Sequence, residues 1–277
     1  MRTSVITIVA GRAGHLSRQR AGLARSSVAA QEHVVVTMGT DAGTSDALSR
    51  NDVPTRRTYV DVEHGAGLPL AAARNAGAEA ALSGGAQLLV FLDVDCIPAA
   101  TLVHRYARAA TGLPTALLAG PVAYLPAAPP TGYDLTALAA LAAPHPARPV
   151  PPDFAVVPEP RTKLFWSLSF ALTADTWRRV GGFYPGYVGY GAEDTDFALL
   201  AAAAGVQLHW VGGATAYHQY HGPSGPTAAN AASIVRNARL FHSRHGWWPM
   251  GDWLRQLHTD GLVDYRPEDG VVELLAR

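Results

Sequence analysis

Two aspartates, Asp93 and Asp95, follow a run of five apolar residues, Leu88–Leu92, with one valine between them. Like charges this close repel each other, so the pair needs solvent, hydrogen bonds or a cation. Side chains alternate along an extended chain, so both carboxylates face the same side. Their oxygens suit Mg²⁺ or Mn²⁺, ions that also take oxygens from a diphosphate. Turn chemistry at a strand end also favours Asp, so the pair alone leaves both interpretations open.

The stretch "GGFYPGYVGYGAEDTDF", residues 181–197, is rich in glycine and tyrosine. Its repeated glycines indicate a backbone that turns often and approaches another group closely. Tyr184, Tyr187 and Tyr190 offer flat, amphipathic surfaces that suit a sugar ring.

Three acids, Glu193, Asp194 and Asp196, end this stretch at a predicted helix start. Acids at that position compensate the helix dipole. Three in four positions are more than capping needs, and their mutual repulsion raises the pKa of at least one of them. A raised pKa is what a general base requires.

Two histidines, His218 and His221, lie in "YHQYHGPSG", residues 217–225, between a predicted strand and a Gly/Pro turn. A neutral imidazole is a good ligand for Mn²⁺ or Zn²⁺, although a lone histidine is more often structural. His242 and His245 have the same spacing near a helix end, and we expect those to be structural.

The elements that must position these residues alternate between strand and helix. Strands are predicted at 4–10, 33–38, 57–62, 86–92, 163–173 and 206–211. Helices are predicted over 16–28, at 70–82, from Pro98 onward, through Trp177 and Val180, at 193–205 and at 227–244. Such alternation indicates βαβ units and a largely parallel sheet. Ligands of such sheets bind beyond the carboxyl ends of the strands, which is where Asp93 and Asp95 fall.

The segment 126–160 contains ten prolines and is predicted to lack regular structure. A loop this long inside a compact domain is usually functional or disordered. A lid over a binding site and a passive excursion into solvent are both open interpretations. For Trp247, Trp248 and Pro249 we favour packing onto the core over a platform for a substrate.

Composition bounds the class of protein. The chain has 277 residues, of which 48% are hydrophobic and 16% charged, and its formal net charge is zero. A sizeable core is therefore expected, and nothing favours a nucleic-acid partner. Cys96 is the one cysteine, which excludes an intrachain disulfide and favours a cytoplasmic location. No apolar run approaches the length of a transmembrane segment.

Taken in order, the motifs resemble those of glycosyltransferases with the GT-A fold, of the family 2 type. The helix "LAAARNAGAEAAL" and the later "LLVFLDVDCIP" are similar to that superfamily's Ala-Arg-Asn-x-Gly helix and its strand ending in Asp-x-Asp. The stretch "GGFYPGYVGYGAEDTDFALL" is similar to the Gly-Gly-Phe…Trp-Gly-Gly-Glu-Asp-x-Asp segment of β-galactosyltransferases and polypeptide GalNAc-transferases.

The resemblance implies an α/β fold with a mostly parallel, Rossmann-like central sheet flanked by helices. It implies one GT-A domain over residues 1–250, with a nucleotide-sugar half over 1–120, an acceptor half over 121–250 and a C-terminal extension over 251–277.

The resemblance also implies a metal-dependent, inverting, galactosyltransferase-like hexosyltransferase that moves a sugar from a nucleotide-sugar, expected to be a UDP-sugar, to an acceptor hydroxyl. Asp194 would be the general base, and Glu193 would hold donor or acceptor hydroxyls. Mn²⁺ or Mg²⁺ would be bound by Asp95 and His218, with His221 close enough to compete. The residues expected to border the nucleotide or its phosphates are Ala10, Gly11, Arg12, Asp41, Arg74 and Asp93.

Three departures from that pattern concern the sugar and acceptor pocket. Tyr190 stands where the galactosyltransferases have Trp, Ala192 replaces a Gly and Thr195 replaces an acid. The acceptor, whether a glycan, a lipid or a small molecule, is therefore open. A retaining glycosyltransferase, a nucleotidyltransferase and a non-catalytic nucleotide-sugar-binding protein are alternatives. The nucleotidyltransferase is disfavoured because "VAGRAGHLSRQR" lacks the expected glycine-rich, basic signature.

Overall fold

The computed structural model describes residues 1–40, 42–49, 53–65, 67–222 and 225–275. Its strands are β1 (Thr3–Val9), β2 (Glu32–Met38), β3 (Thr55–Val60), β4 (Leu88–Leu92), β5 (Cys96–Pro98), β6 (Leu117–Ala119), β7 (Val122–Tyr124), β8 (Ala143–Pro144), β9 (Val156–Glu159), β10 (Ser169–Thr173), β11 (Leu208–Val211), β12 (Ala216–His218), β13 (Val263–Arg266) and β14 (Val271–Leu274). Its α-helices are α1 (Ala13–Leu23), α2 (Ala42–Leu48), α3 (Leu70–Ser83), α4 (Leu102–Gly112), α5 (Leu138–Leu141), α6 (Ala174–Val180), α7 (Glu193–Ala203), α8 (Ala231–His245) and α9 (Gly251–Thr259).

The described residues form a central eight-stranded sheet in the order β3-β2-β1-β4-β10-β6-β11-β9. The strands from β3 to β4 are parallel, while β10 runs antiparallel to both of its neighbours. Strands β1 and β4 are buried along their whole length. Continuous apolar strands of this kind are typical of a sheet that is covered on both faces. The α/β fold expected from the sequence is confirmed.

Two layers of helices provide that cover. On one face, α3, α6 and α7 pack against Ile6, Val36 and Phe91 in a core rich in aromatic rings. On the other face, α4 packs against Val90 and Leu92. Because each face is closed by helices, the carboxyl ends of the strands are left as the place for a polar site.

A second, four-stranded sheet, β5-β12-β7-β8, is formed within the described residues beside the end of β4. Strand β12 pairs antiparallel with β5 and parallel with β7, which sets His218 opposite Cys96 and Tyr124. This small sheet brings a residue from the second half of the chain next to the Asp-x-Asp loop.

Five element predictions differ from the structure by more than two residues. The helix predicted over 16–28 ends at Leu23, the last residue of α1. Residues 163–168 are not strand: a 3₁₀ turn at Thr162–Leu164 precedes β10. The proline-rich segment does contain regular structure, including β9, which is an edge strand and so tolerates Pro158. Pro98 ends β5 rather than starting a helix, and the helix predicted at 227–244 begins at Ala231.

The C-terminal segment packs onto the rest of the chain through α8. Leu254 and Leu257 of α9 and Val263 of β13 share a buried cluster with Ile234. The division of the chain at residue 250 stays a prediction. Within the described residues, no helix is both long and apolar enough to span a bilayer. The cytoplasmic location stays a prediction as well.

The fit of α3 against the sheet gives a test of the fold. A Cβ added to Gly77 would lie 2.5 Å from Cγ2 of Ile6 and 3.0 Å from Cγ2 of Val36. Although Ala favours a helix over Gly by about 1 kcal/mol, we expect Gly77→Ala to lower the free energy of unfolding by about 1–3 kcal/mol because it overpacks the core. Urea denaturation measures this change. The matched control is Gly112→Ala at the end of α4, where an added Cβ contacts nothing within 4 Å. Equal stability of the two variants would contradict the close packing.

Candidate active site

The carboxyl ends of β1 and β4 lie side by side because these strands pair in parallel. Strand β1 leads to Ala10, to the exposed Gly11 at φ +64° and to Arg12. Strand β4 leads to Asp93 and Asp95. The Arg12 guanidinium donates a hydrogen bond from Nη1 to Oδ2 of Asp95, so the residues that follow these two strands meet directly. Asp41, expected after β2, lies outside the described residues.

Asp95, His218 and His221 form a three-residue cluster of potential metal ligands. The Nε2 atom of His218 lies 3.6 Å from Oδ1 of Asp95, and Nε2 of His221 lies 3.5 Å from Oδ2. One ligand atom from each residue lies within 4.8 Å of the others. Ligands bound to one divalent ion at about 2.1 Å lie up to about 4.2 Å apart, so a small adjustment suffices to hold such an ion. These residues therefore fit a divalent cation, with His221 as close as His218.

Electrostatics favour the ligand form of this cluster. Burial lowers the pKa of His218, and the charges of His221 and Arg12 add to that effect against the opposing pull of Asp95. A neutral imidazole is the form that binds a metal ion. The backbone supports the cluster as well, because the amide of Gln219 donates to the carbonyl of Asp95 at 2.7 Å.

Arg74 of α3 joins the Asp-x-Asp loop to the start of α7. Its Nη2 donates to Oδ1 of Asp93 at 3.1 Å and its Nη1 to Oε1 of Glu193 at 3.2 Å. Burial works against its charge, but the two carboxylates outweigh that effect and raise the pKa of Arg74. Burial also raises the pKa of Asp93 to about 6, with Arg74 opposing and Asp95 reinforcing the shift. The buried guanidinium therefore fixes two carboxylates from distant parts of the sequence in one cluster.

Asp194 lies beside this cluster at the first turn of α7. Burial and the neighbouring charge of Glu193 raise its pKa to about 7, although its Oδ1 accepts a hydrogen bond from the amide of Thr195 at 2.7 Å. A carboxyl with a pKa near neutrality is suited to accept a proton in a reaction. The residue before the helix, Ala192, has φ +73°, a conformation that glycine adopts more easily. The similar galactosyltransferase segment has Gly at this position.

The third acid of the helix start, Asp196, has a structural environment. It is fully buried, and its Oδ1 accepts hydrogen bonds from Nε of Arg244 at 2.8 Å, from Nε2 of His245 at 2.6 Å and from the hydroxyl of Tyr187 at 3.2 Å. These contacts attach α8 to α7, so His245 is structural as expected. His242 stacks on Trp248, with ring centroids 4.0 Å apart.

The three tyrosines of the glycine-rich stretch do not share one environment. Tyr187 is 1% exposed, which contradicts the expectation that it offers its ring to a sugar. Tyr184 and Tyr190 are each 38% exposed. The ring of Tyr190 stacks on Trp253 of α9, with centroids 5.2 Å apart and planes 9° apart. The C-terminal helix therefore contributes to the wall of the site.

Sequence reasoning gave no role to two side-chain amides, the buried Gln19 and the half-buried Asn75, that hold the site together. Gln19 of α1 donates from Nε2 to the carbonyls of Asp93 and Cys96, at 2.7 and 3.1 Å. Asn75 exchanges two hydrogen bonds with the backbone of Phe183, at 2.8 and 2.9 Å. The Ala-Arg-Asn motif itself was the signal for Asn75, since it places that amide next to Arg74. The sequence carries no comparable signal for Gln19.

Comparison with known proteins supports the fold. Residues 158–222 match a family model described as the N-terminal domain of galactosyltransferase, which is less than half of the chain. No curated protein sequence matches significantly. GalNAc-T7, crystallised with UDP, GalNAc and Mn²⁺, superposes with a TM-score of 0.59 at 16% identity, covering 94% of this chain and 54% of that protein. The chain has the GT-A fold.

Two further solved structures have a similar fold. Residues 1–349 of S. aureus TarS give a TM-score of 0.59 at 14% identity, covering 88% of this chain and 65% of that one. The mannosyltransferase PcManGT from Pyrobaculum calidifontis, in complex with GDP-Man and Mn²⁺, gives 0.54 at 16% identity, covering 94% and 68%. The chain spans less than two thirds of the GalNAc-T7 and TarS chains. The resemblance to GT-A glycosyltransferases inferred from the sequence is confirmed, and at these identities the solved structures establish the fold alone.

The different environments of Asp196 and Asp194 give a stability test. We expect Asp196→Asn to lower the free energy of unfolding by about 3 kcal/mol, because it leaves Arg244 and His245 without their buried carboxylate. The ionised carboxylate of Asp194, by contrast, lowers the free energy of unfolding. Its pKa rises from 3.8 to about 7 on folding, so this group makes the protein less stable as the pH rises through that window.

Asp194→Asn should therefore raise the stability at pH 8 relative to the unsubstituted chain, and do so less at pH 5. Thermal and urea denaturation at both pH values measure the two effects. Asp175→Asn, at a side chain that is 94% exposed, is the control and should change neither quantity. If Asp194→Asn were as destabilising as Asp196→Asn, Asp194 would have to be assigned a structural role.

Proposed function

We propose that this chain is a metal-dependent, inverting glycosyltransferase that transfers a sugar from a nucleotide-sugar to an acceptor hydroxyl. The observation that supports it best is the arrangement around Arg74. One buried guanidinium holds Asp93 beside the Asp95–His218–His221 cluster and Glu193 beside Asp194. Arg74 thus links a cluster of potential metal ligands to a carboxyl with a pKa of about 7.

The donor is proposed to be a UDP-sugar. The GalNAc-T7 structure contains UDP and Mn²⁺, and TarS has been crystallised with UDP-GlcNAc. The mannosyltransferase neighbour binds GDP-Man, so GDP-sugars belong in the same test. Ala10, Gly11, Arg12, Arg74 and Asp93 are proposed to border the nucleotide and its phosphates; Asp41 stays a prediction. The galactosyltransferase match over residues 158–222 favours a galactosyltransferase-like hexosyltransferase.

A divalent ion, Mn²⁺ or Mg²⁺, held by Asp95 with His218 or His221 would neutralise charge on the departing diphosphate. The chain's own residues supply the remaining chemistry. Asp194 accepts the proton of the acceptor hydroxyl as its oxygen attacks the anomeric carbon. The bond from that carbon to the diphosphate oxygen breaks, and the electron pair leaves with the nucleoside diphosphate. Glu193 orients sugar hydroxyls beside Arg74.

The inverting mechanism is favoured over the retaining one because of the environment of Asp194. A retaining enzyme would need this residue only to position substrates. Burial and Glu193 instead raise its pKa to about 7, which suits proton transfer near neutral pH.

Nucleotide binding tests the metal site. We expect Asp95→Ala to abolish Mn²⁺-dependent binding of UDP, since it removes the carboxylate that both histidines face. Isothermal titration calorimetry with UDP and GDP, with and without Mn²⁺, measures this. His218→Ala and His221→Ala, made singly, establish which imidazole binds the ion, and the variant of that residue should lose about tenfold or more in affinity. Asp46→Ala on α2 is the control. Equal UDP affinity with and without Mn²⁺ in the unsubstituted chain would contradict the metal-dependent mechanism.

The pH dependence of transfer tests the base. Asp194 must be ionised to accept a proton, so kcat/KM should be low below pH 6 and rise through an apparent pKa of about 7. Asp194→Asn should leave UDP binding intact and lower kcat by about 10²-fold or more. Initial rates between pH 5 and 9, with a UDP-sugar that binds, measure both. Full transfer by Asp194→Asn would rule out Asp194 as the base.

A further inference from the structure

Arg148 stands out from the other charged side chains of the proline-rich segment. The neighbouring residues 146, 147 and 150 are exposed, but Arg148 is 5% exposed and sends its side chain inward. None of its three guanidinium nitrogens has a hydrogen-bond partner among the described residues, and all three are buried. A buried cation without hydrogen bonds is strongly unfavourable, so a native structure that keeps one needs a reason.

The surroundings of Arg148 hold the guanidinium in a fixed place. It lies over the ring of Trp210, 4.7 Å from the centroid, and over Trp166 at 5.1 Å. Trp210 is fully buried and its indole donates to Oε2 of Glu159 at 3.1 Å. The backbone amide of Arg148 donates to the carbonyl of His145 at 3.1 Å. Two indole rings thus contact a guanidinium that has no hydrogen-bond partner among the described residues.

Packing alone does not account for an arginine at this position. Contacts with two indole rings recover part of the cost of burying the charge. An apolar side chain such as methionine would fill the same space without that cost, and such replacements of buried charges are often neutral or stabilising. Burial in fact lowers the pKa of Arg148, a sign that its environment opposes the charge.

The position of Arg148 relates it to the proposed site. Ring contacts lead from its neighbour Trp166 to that site: the ring centroid of Trp166 lies 4.8 Å from that of His145, His145 lies 5.8 Å from Tyr124, and Tyr124 lies 4.8 Å from His218. Tyr124 thus connects the aromatic rings near Arg148 to the histidine cluster. The diphosphate would lie beside that cluster, where Arg12 and Arg74 already supply positive charge. That diphosphate therefore does not need Arg148 as a further cation.

We propose that Arg148 binds a carboxylate or phosphate carried by a substrate in addition to the donor's diphosphate. This inference rests on the proposed function and narrows its substrate class to anionic sugars or anionic acceptors. A guanidinium can form two parallel hydrogen bonds with either group, and these are strong away from water. Trp166 and Tyr124 are half-buried, so the aromatic rings near Arg148 reach the protein surface.

Ligand binding by variants of the full chain tests the proposal. One arm compares UDP-glucuronate with UDP-glucose in the presence of Mn²⁺. The other compares p-nitrophenyl β-glucuronide and p-nitrophenyl phosphate with p-nitrophenyl β-glucoside, each with and without UDP and Mn²⁺. The first arm places the anion on the donor sugar and the second on the acceptor. In one of the two arms, we expect calorimetry to show that the anionic probe binds with an affinity about tenfold or more higher than that of its neutral counterpart.

Arg148→Met should remove that preference while leaving Mn²⁺-dependent UDP binding within about twofold, and Arg148→Lys should restore part of it. The melting temperature separates this role from a structural one. Arg148→Met should leave it unchanged or higher, because an unpaired buried charge is lost. The matched control is Arg105→Met, since Arg105 is also buried beside an aromatic ring, Phe154 at 3.7 Å, but is paired with Asp153 at 2.7 and 2.8 Å. This control should melt lower and keep the anion preference.

Two results would overturn the proposal. One is equal binding of anionic and neutral probes by the unsubstituted chain in both arms. The other is a loss of melting temperature in Arg148→Met as large as in Arg105→Met with the anion preference intact. A chain that binds UDP with Mn²⁺ but shows no anion preference would disprove the role of Arg148 alone. A chain that binds no nucleotide would disprove the proposed function, and the nucleotide-free acceptor arm would still decide the role of Arg148.

Discussion

The site depends on a single buried guanidinium, that of Arg74. Its two carboxylate partners are 19 and 119 residues away in the sequence, one after β4 and the other at the start of α7. Without this cation, Asp93, Glu193 and Asp194 would repel one another in a buried setting. The rest of the structure serves to hold Arg74 in place. Helix α3 rests close on the sheet at Gly77, and Asn75, the next residue after Arg74, fixes the backbone of Phe183.

The neighbouring acids of the α7 start illustrate how burial assigns different roles to the same residue type. Asp196 has two basic partners and a tyrosine hydroxyl, and it joins α7 to α8. Asp194 has Glu193 as a neighbour, and its pKa rises to about 7. A carboxylate whose hydrogen bonds are satisfied stabilises the fold. A carboxylate whose charge is opposed by burial and by a neighbouring acid takes up a proton more readily. Two residues of separation on one helix are enough to place them on different sides.

Two further segments, the C-terminal one and the proline-rich one, complete the walls of the site. The C-terminal helix α9 supplies Trp253, which stacks on Tyr190. The proline-rich segment supplies β9, whose Glu159 orients Trp210, and Arg148, which lies against that ring. Differences in these segments would change those walls while leaving the Asp95 cluster and Asp194 in place.

The sequence by itself determined the fold class, the Asp-x-Asp loop at the end of a buried strand and the acids at a helix start. These features are local, since apolar runs, glycines and charged residues report the period and the ends of each element. It also gave the candidates His218 and Asp194. It did not reveal that His221 is as close to Asp95 as His218 is, that Tyr187 is buried, or that Gln19 holds the Asp-x-Asp loop. It did not place Arg148 between two tryptophans either. These facts depend on which side of an element a residue faces and on contacts between residues far apart in the chain. Only tertiary packing decides them, because the same side chain is a surface group in one environment and an unpaired buried charge in another.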